Sequence, residues 1–260
     1  MSREVVAFLA GSPERLALLD YLAEEPAAPR DVAEALDVSS RGAQRNLSEL
    51  EDRGWADKRD GDYHLTTTGH LVRETYTDCL DRLDALGDLS TLYEHLPGPD
   101  DAPDPAWLAD ATYVTAEEDH PQAPVTHYVE AVRALETDHV RMLAPVLSRL
   151  FHEPHAKQVQ RGATTEVVLP GDRVSAAREK NPLEFETVLA VPSFTLYRTD
   201  RSVEMGLTVT DDRTFVLAYD RDGNLKVCVD STDPELREWA IERFERYREG
   251  ASEVDGIGPF

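Results

Sequence analysis

Hydrophobic positions in the first quarter of the chain recur at helical spacing until about residue 53, where the pattern changes. They predict three helices, which cover residues 13–25, 30–36 and 39–53. Ser39 is a favourable N-cap for the third helix, and Gly54 is a usual residue just after a helix. From Trp55 to Thr66 the spacing becomes strand-like around Asp60-Gly61, a dipeptide that favours tight hairpin turns. The segment therefore predicts three helices followed by a β-hairpin.

A longer helical pattern follows from Thr68 to Leu86. Its apolar residues are spaced four, three, four and three apart, as in the seam of a short coiled coil: Val72, Tyr76, Cys79, Leu83 and Leu86. Gly87 is expected to end this helix. Residues 98–106 are rich in proline and acid without apolar periodicity, which indicates a linker. We therefore predict an N-terminal domain over residues 1–97, with the long helix as a dimer contact, and a second domain over residues 107–260.

The second half mixes both kinds of spacing. Helices are predicted at 123–137 and 150–161, and strands at 141–147, 165–169 and 195–198. Three further strands, at 203–209, 214–219 and 225–229, are joined by short turns and predict an antiparallel meander. A last helix is expected to begin with a capping box at Thr232–Glu235. The fold class predicted for the whole chain is α+β, and its second domain is predicted to be an α/β regulatory domain with a mixed sheet.

Composition narrows the class of protein. Hydrophobic residues make up 41% and charged residues 30% of the 260 positions, and no apolar run is long enough to cross a membrane. Cys79 and Cys228 lie too far apart in sequence to suggest a zinc ribbon or a disulfide scaffold. We therefore expect a cytoplasmic protein without membrane contact.

The net charge of −24 is the strongest global feature, and only four of the 27 basic residues are lysines. Such a balance resembles the proteins of salt-accumulating halophiles, although an ordinary acidic cytosolic protein remains the alternative. A strongly acidic chain would normally avoid nucleic acid. At molar salt this argument weakens, because the Debye length is about 3 Å and only local charge matters.

The order of three helices and a hairpin is that of a winged helix-turn-helix. In the third helix one arc of about 140° carries only polar side chains, whereas Ala43, Leu47 and Leu50 face the other way. Arginine, amide and hydroxyl groups on such a face suit base edges and phosphates in a major groove. The candidate DNA-binding residues are Ser39, Ser40, Arg41, Gln44, Arg45 and Ser48 in this helix, with Lys58 and Arg59 beside the hairpin turn.

Local charge supports a DNA partner. Residues 39–48 contain two arginines and no acid, whereas residues 1–97 carry 10 basic and 20 acidic side chains. We therefore predict that the chain binds double-stranded DNA as a homodimer. The alternative is a winged-helix module that contacts proteins of the transcription machinery without reading DNA.

Several stretches carry a family resemblance. Residues 32–54 resemble the winged-helix core of archaeal transcription regulators, and Leu65–Gly69 is similar to the usual exit from a wing. Three stretches of the second half are similar to the regulatory domain of methanogenesis-type regulators: 107–112, 206–212 and 219–223. The resemblance implies a dimeric, DNA-binding transcription regulator whose effector is not identified.

The second domain offers one candidate ligand site and some weaker motifs. Ser148 and Arg149 follow one predicted strand and Tyr197 and Arg198 end another, so we expect a pocket for an anionic or hydroxylated small-molecule effector there. The alternative is that both arginines pair with surface acids. His155-Ala-Lys157 has the spacing of a phospholipase D motif without its downstream aspartate, so we expect no enzyme activity, cofactor or metal.

Overall fold

The chain divides into two compact units, Met1–Asp84 and Ala85–Phe260, which we call the N-terminal and C-terminal units. The computed structural model describes residues 2–147 and 149–256, apart from the side chains of residues 149–152. The predicted boundary at residues 97–98 differs from this division, which falls inside the long helix.

The N-terminal unit has the predicted helices and hairpin in the predicted order, with one extra helix before them. Its elements are α1 (Ser2–Ala10), α2 (Pro13–Glu24), α3 (Pro29–Ala35), α4 (Ser40–Asp52), β1 (Ala56–Arg59), β2 (Asp62–Leu65) and the start of α5 (Thr67–Asp88). Helix α1 was not predicted, although its Phe8 and Leu9 lie in the core. The hairpin turns at Asp60 and Gly61, which both have positive φ, as the sequence predicts.

Apolar side chains of α1, α2, α3 and α4 meet in one core. Ala43, Leu47 and Leu50 of α4 are fully buried, so the apolar face predicted for this helix is confirmed. Trp55 and Tyr63 bring the hairpin into the same core. Truncating a buried leucine such as Leu47 to alanine would cost about 2–5 kcal/mol of unfolding free energy.

Helix α5 does not end at Gly87 as predicted but continues to Asp88. Its apolar seam has two parts. Val72 and Tyr76 pack against the N-terminal core, whereas Leu83 is 59% exposed and Leu86 is 42% exposed. The first part of the seam is therefore internal, and the second part is an uncovered apolar surface.

The C-terminal unit is built on one mixed eight-stranded sheet, which confirms the sheet type predicted. Its helices are α6 (Ser90–Glu94), α7 (Ala123–Ala134), α8 (Arg149–Gln160), α9 (Gly171–Lys180), α10 (Pro182–Leu189) and α11 (Pro234–Arg248). Its strands are β3 (Thr112–Thr115), β4 (His139–Leu143), β5 (Thr164–Pro170), β6 (Phe194–Thr199), β7 (Met205–Val209), β8 (Thr214–Tyr219), β9 (Leu225–Ser231) and β10 (Ser252–Glu253). The strand order is β10-β6-β5-β4-β7-β8-β9-β3, in which β4, β5 and β6 are parallel and the other neighbours are antiparallel.

Helices cover both faces of this sheet. Val216 and Ala218 of β8 face a core that includes α6 and α11, whereas Phe215 and Leu217 face α7. At the other end of the sheet, α9 and α10 pack on β5 and β6. The two-residue alternation of each strand therefore supplies both cores, and the predicted meander of β7, β8 and β9 is confirmed.

Three predicted features of the second half differ from the structure. The predicted linker at 98–106 is part of the C-terminal unit, where Pro103 is buried and Asp101 lies 3.6 Å from Arg243. The strand predicted at 141–147 begins at His139 and ends at Leu143. The N-cap of α11 is Asp233 rather than Thr232, because its carboxylate accepts a hydrogen bond from the Leu236 amide.

Candidate nucleic-acid interface

Helix α4 presents the predicted polar face to solvent. Ser40, Arg41, Gln44 and Arg45 are exposed, and Ser48 is half-buried. Within the part of the chain that the structure describes, Arg41 and Arg45 make no side-chain hydrogen bond or ion pair. Two free guanidinium groups one turn apart therefore stand on this face.

Ser39 has a structural role at the start of the helix. Its hydroxyl accepts a hydrogen bond from the backbone amide of Gly42 at 3.1 Å, as expected for an N-cap. Because the hydroxyl is used in this way, Ser39 fixes where α4 begins. The hydroxyl hydrogen of the exposed Ser39 is not used in this bond, so its contact with DNA stays a prediction.

Tyr63 joins the hairpin to α4, a connection that the sequence analysis did not identify. The Gln44 side-chain amide donates to the Tyr63 hydroxyl at 3.2 Å, and the Lys58 amine lies 5.2 Å from the centre of the Tyr63 ring. The ring itself is buried. Gln44 therefore positions the hairpin against the helix, in addition to any contact it makes outside the protein.

The hairpin presents less free positive charge than its sequence suggests. Both Arg59 and Asp57 belong to β1, and the Arg59 guanidinium donates two hydrogen bonds to the Asp57 carboxylate. This pair neutralises the charge of Arg59 locally. Of the two basic residues predicted beside the hairpin turn, Lys58 has no acidic partner among the described residues.

Two polar contacts that were not predicted fix α4 on its neighbours. Asn46 is buried and donates from its side-chain amide to the Glu14 carboxylate at 3.2 Å. Glu49 pairs with Arg15 at 3.1 Å, which neutralises one of the acids at the end of α4. A rigid helix therefore carries the exposed arginines, and its first turn contains no acid.

Of the four residues of the predicted ligand site, the structure describes the side chains of Tyr197 and Arg198. Ser148 lies outside the described residues, and Arg149 begins α8 with an undescribed side chain. Tyr197 turns toward the α11 face, where its hydroxyl donates to Glu166 at 3.4 Å; burial and then the Glu166 charge raise its pKa. Of these two described side chains, Arg198 borders an open cavity at the ends of the strands.

The phospholipase-like spacing lies on a helix. His155 is buried in α8 and shares a 2.8 Å hydrogen bond with the Tyr128 hydroxyl, whereas Lys157 is exposed. Residues two apart on a helix point in different directions, so the two side chains do not converge. Among the described residues there is no cluster of three metal-ligating side chains and no helix long and apolar enough to span a membrane.

Two family models match the chain, one over each unit. Residues 121–250 match the family described as methanogenesis regulatory protein FilR1, middle domain. Residues 3–86 match the family described as HVO_A0261 N-terminal domain. No curated protein matches the chain.

Solved structures resemble the chain only distantly. An archaeal chromatin protein, TrmBL2, is 15% identical with a TM-score of 0.44, covering 98% of this chain and all of the other. NucT from Helicobacter pylori is 9% identical with a TM-score of 0.46, and the match covers 56% of this chain and 99% of the NucT chain. Nuc from Salmonella typhimurium, a phospholipase D family member, is 12% identical with a TM-score of 0.45, with 56% and 98% covered. Similarity at this level carries no argument about function.

Proposed function

Because the chain belongs to the family of the methanogenesis regulatory protein FilR1, middle domain, we propose that it is an archaeal transcription regulator that binds double-stranded DNA. In this proposal α3 and α4 form the helix-turn-helix, and β1 and β2 form the wing. The protein acts in the cytoplasm and catalyses no reaction.

The pair of free arginines on α4 is the observation that carries the proposal. In a chain with a net charge of −24, three arginines of the N-terminal unit form ion pairs: Arg15 with Glu49, Arg59 with Asp57 and Arg73 with Asp20. Arg41 and Arg45 are left exposed on the helix that enters the major groove in winged-helix proteins. Their fork of N–H donors matches guanine edges and phosphate oxygens.

Self-association belongs to the same proposal. A dimer binds two half-sites and so doubles the number of phosphate and base contacts. The exposed leucines of α5, Leu83 and Leu86, offer an apolar surface that a second copy would cover. A signal sensed by the C-terminal unit would then alter the occupancy of DNA.

A module that contacts only proteins is the second candidate. It is favoured by the internal contacts of Gln44 and Arg59, which reduce the number of free donors near the hairpin. In this alternative the exposed face of α4 binds an acidic surface of another protein rather than DNA.

Selection of binding sites from random-sequence DNA by the full chain tests the proposal. We expect enrichment of a short inverted repeat, and loss of binding to it by the double variant Arg41→Ala/Arg45→Ala. Arg3→Ala is the control for the two single variants Arg41→Ala and Arg45→Ala, because it removes one exposed charge from α1 without touching α4. Failure to enrich any sequence, or equal loss in the control, would contradict DNA reading by this face.

A further inference from the structure

An open cavity of about 670 Å³ lies at the carboxyl ends of β5 and β6. It is bordered by the start of α9, by the segment 198–203 after β6, and by Pro145 after β4. The carboxyl edge of parallel strands is where α/β sheets generally hold their ligands. The volume is in the range of sites for small molecules.

The Arg198 side chain packs closely against the backbone of Gly171 at this cavity. A Cβ atom added to Gly171 would lie 2.7 Å from the Arg198 Nε atom and 3.3 Å from both Cζ and Nη2. The guanidinium therefore occupies space that only glycine leaves free at the first residue of α9. This close approach places one positive charge beside the start of α9.

The start of α9 adds directed donors to this charge. Its N-cap residue is Pro170, which provides no side-chain hydrogen bond to the first turn. The amides of Asp172 and Arg173 lie in the first turn of this ten-residue helix and have no acceptor within it, so they can donate to a ligand. Amides at a helix start and an arginine beside them are the two groups that proteins combine around phosphate.

The acidic side chains at the cavity do not neutralise the positive charge of its lining. Arg198 lies 3.6 Å from Asp200, whose side chain is 94% exposed, and Arg173 lies 3.7 Å from Asp172, whose side chain is 73% exposed. Ion pairs of this length with exposed partners are weak. Arg201 adds a third guanidinium to the lining, held by the backbone oxygen of Arg246 at 2.8 Å. Three arginines and two exposed carboxylates leave a net positive charge in the lining, which favours an anion.

We propose that this cavity binds a small organic phosphate ester, with Arg198 and the first amides of α9 around the phosphate group. The cavity is several times larger than a phosphate, so the organic part of the ligand occupies the space toward the segment 199–203. Binding at this site does not depend on the proposed regulatory function. The role of the ligand as a regulatory signal does rest on that function.

Titration calorimetry of the full chain with glycerol 3-phosphate tests the site without DNA. We expect saturable binding of one ligand per chain, at constant potassium chloride so that general salt effects cancel. Arg198→Gln should weaken binding at least tenfold. Gly171→Ala should weaken it similarly while keeping every charge, because the added methyl group displaces the guanidinium.

Arg221→Gln is the matched control, since it removes the same charge from an exposed position in the turn between β8 and β9, outside the cavity lining. Its binding should equal that of the unaltered chain. Thermal melts of each variant check that the fold is retained, and Arg198→Lys replaces Arg198→Gln if the latter does not fold.

Three outcomes would overturn the proposal: no saturable binding at millimolar ligand, equal binding by Arg198→Gln and the control, or binding of malonate in place of the phosphate ester. Arg41→Ala/Arg45→Ala separates this result from the proposed function. That variant should bind the phosphate ester normally, so a failure to bind DNA would leave the cavity site intact.

Discussion

Arg45 and Lys58 carry the same charge on different elements, and this difference separates two ways of contacting DNA. An arginine in the major groove reads a base, whereas a wing lysine meets phosphate and carries no sequence information. Arg45→Ala should therefore weaken binding to the selected site by about 1–3 kcal/mol and relax specificity. Lys58→Ala should weaken selected and random DNA about equally.

Fluorescence anisotropy with both DNA types measures these two effects side by side. If Arg45→Ala lost affinity equally on selected and random DNA, the assignment of α4 as the reading helix would be wrong. Lys58→Arg is a useful companion, since it keeps the charge near the Tyr63 ring and should bind like the unaltered chain.

Residue types predicted which face of α4 is polar, but not how each side chain is used. Periodicity alone places Ser40, Arg41 and Arg45 on the exposed face. It could not foresee that Gln44 would bond to Tyr63, because that contact depends on a hairpin 19 residues further along the chain. Strand alternation places the adjacent Tyr197 and Arg198 on opposite faces of the sheet, but which of the two faces α11 covers depends on how the helices pack.

Asp211 is a second residue with a local prediction. Its carboxylate accepts hydrogen bonds from the Thr137 hydroxyl and the amides of Asp138 and His139. Burial alone would raise the pKa of Asp211, but these bonds outweigh it and hold the pKa at about 2. The stabilisation from the charged form is thus complete above about pH 4 and is lost as the pH falls through 2.

Asp211→Asn should lower the free energy of unfolding at pH 7 by on the order of 1 kcal/mol. The difference from the unaltered chain should shrink between pH 4 and pH 2, where the natural carboxylate becomes protonated. Urea unfolding at pH 7, 4 and 2.5 follows this change. A difference that stayed constant down to pH 2.5 would mean that the carboxylate charge does not contribute.

At the scale of elements, the exposed part of the α5 seam predicts how copies of the chain associate. Leu83→Glu places a charge in that surface and should weaken the dimer at least tenfold, because each buried leucine contributes about 1.5–3 kcal/mol. Leu183→Glu is the matched control, since Leu183 of α10 is 80% exposed and lies outside the seam. Light scattering over a range of concentrations compares the two.

An unchanged dimer for Leu83→Glu would show that association uses another surface. The seam covers barely two heptads, which is short for a coiled coil that acts alone. We therefore expect the C-terminal unit to add contacts, and Leu83→Glu to give a mixture of monomer and dimer at high concentration.

Elements with strong local signals were predicted well, and those that depend on distant partners were not. The Asp60-Gly61 hairpin and the cap at Ser39 are encoded within a few residues. Helix α1 was missed because its apolar residues are buried by partners far along the chain. Phe8 packs against Trp55 with ring centres 5.6 Å apart. Strand β4 was predicted too far toward the C-terminus, because its ends are set by pairing with β5 and β7.

For the whole molecule, the net charge of −24 predicts an unusual response to salt. Acidic surface near the duplex must be screened before the α4 arginines approach, so affinity should persist at molar potassium chloride and rise over part of that range. Ordinary DNA-binding proteins lose affinity steeply as salt rises, because bound counterions are released. Anisotropy titrations between about 0.1 M and 2 M salt measure the slope.

A steep fall in affinity that continues into the molar range would contradict this prediction. The variant Lys58→Ala refines the test, because removing one phosphate contact should make the slope at low salt shallower by about one.

The salt prediction follows from the amino-acid composition alone, whereas the strand order of the sheet could not be predicted from composition. That order depends on pairings between residues far apart, such as Thr112 with Asp230.

The placement of β3 has a consequence for how the protein is made. Among the described residues, those of β3 (112–115) pair with residues 227–230 of β9 and with no other strand. The first strand of the sheet to be synthesised therefore cannot pair until the last strand of the meander has been made. Until then its backbone groups have no partner in the sheet. Such long-range pairing slows folding and leaves unpaired edges open to other chains. We therefore expect the C-terminal unit to fold more slowly than the N-terminal unit.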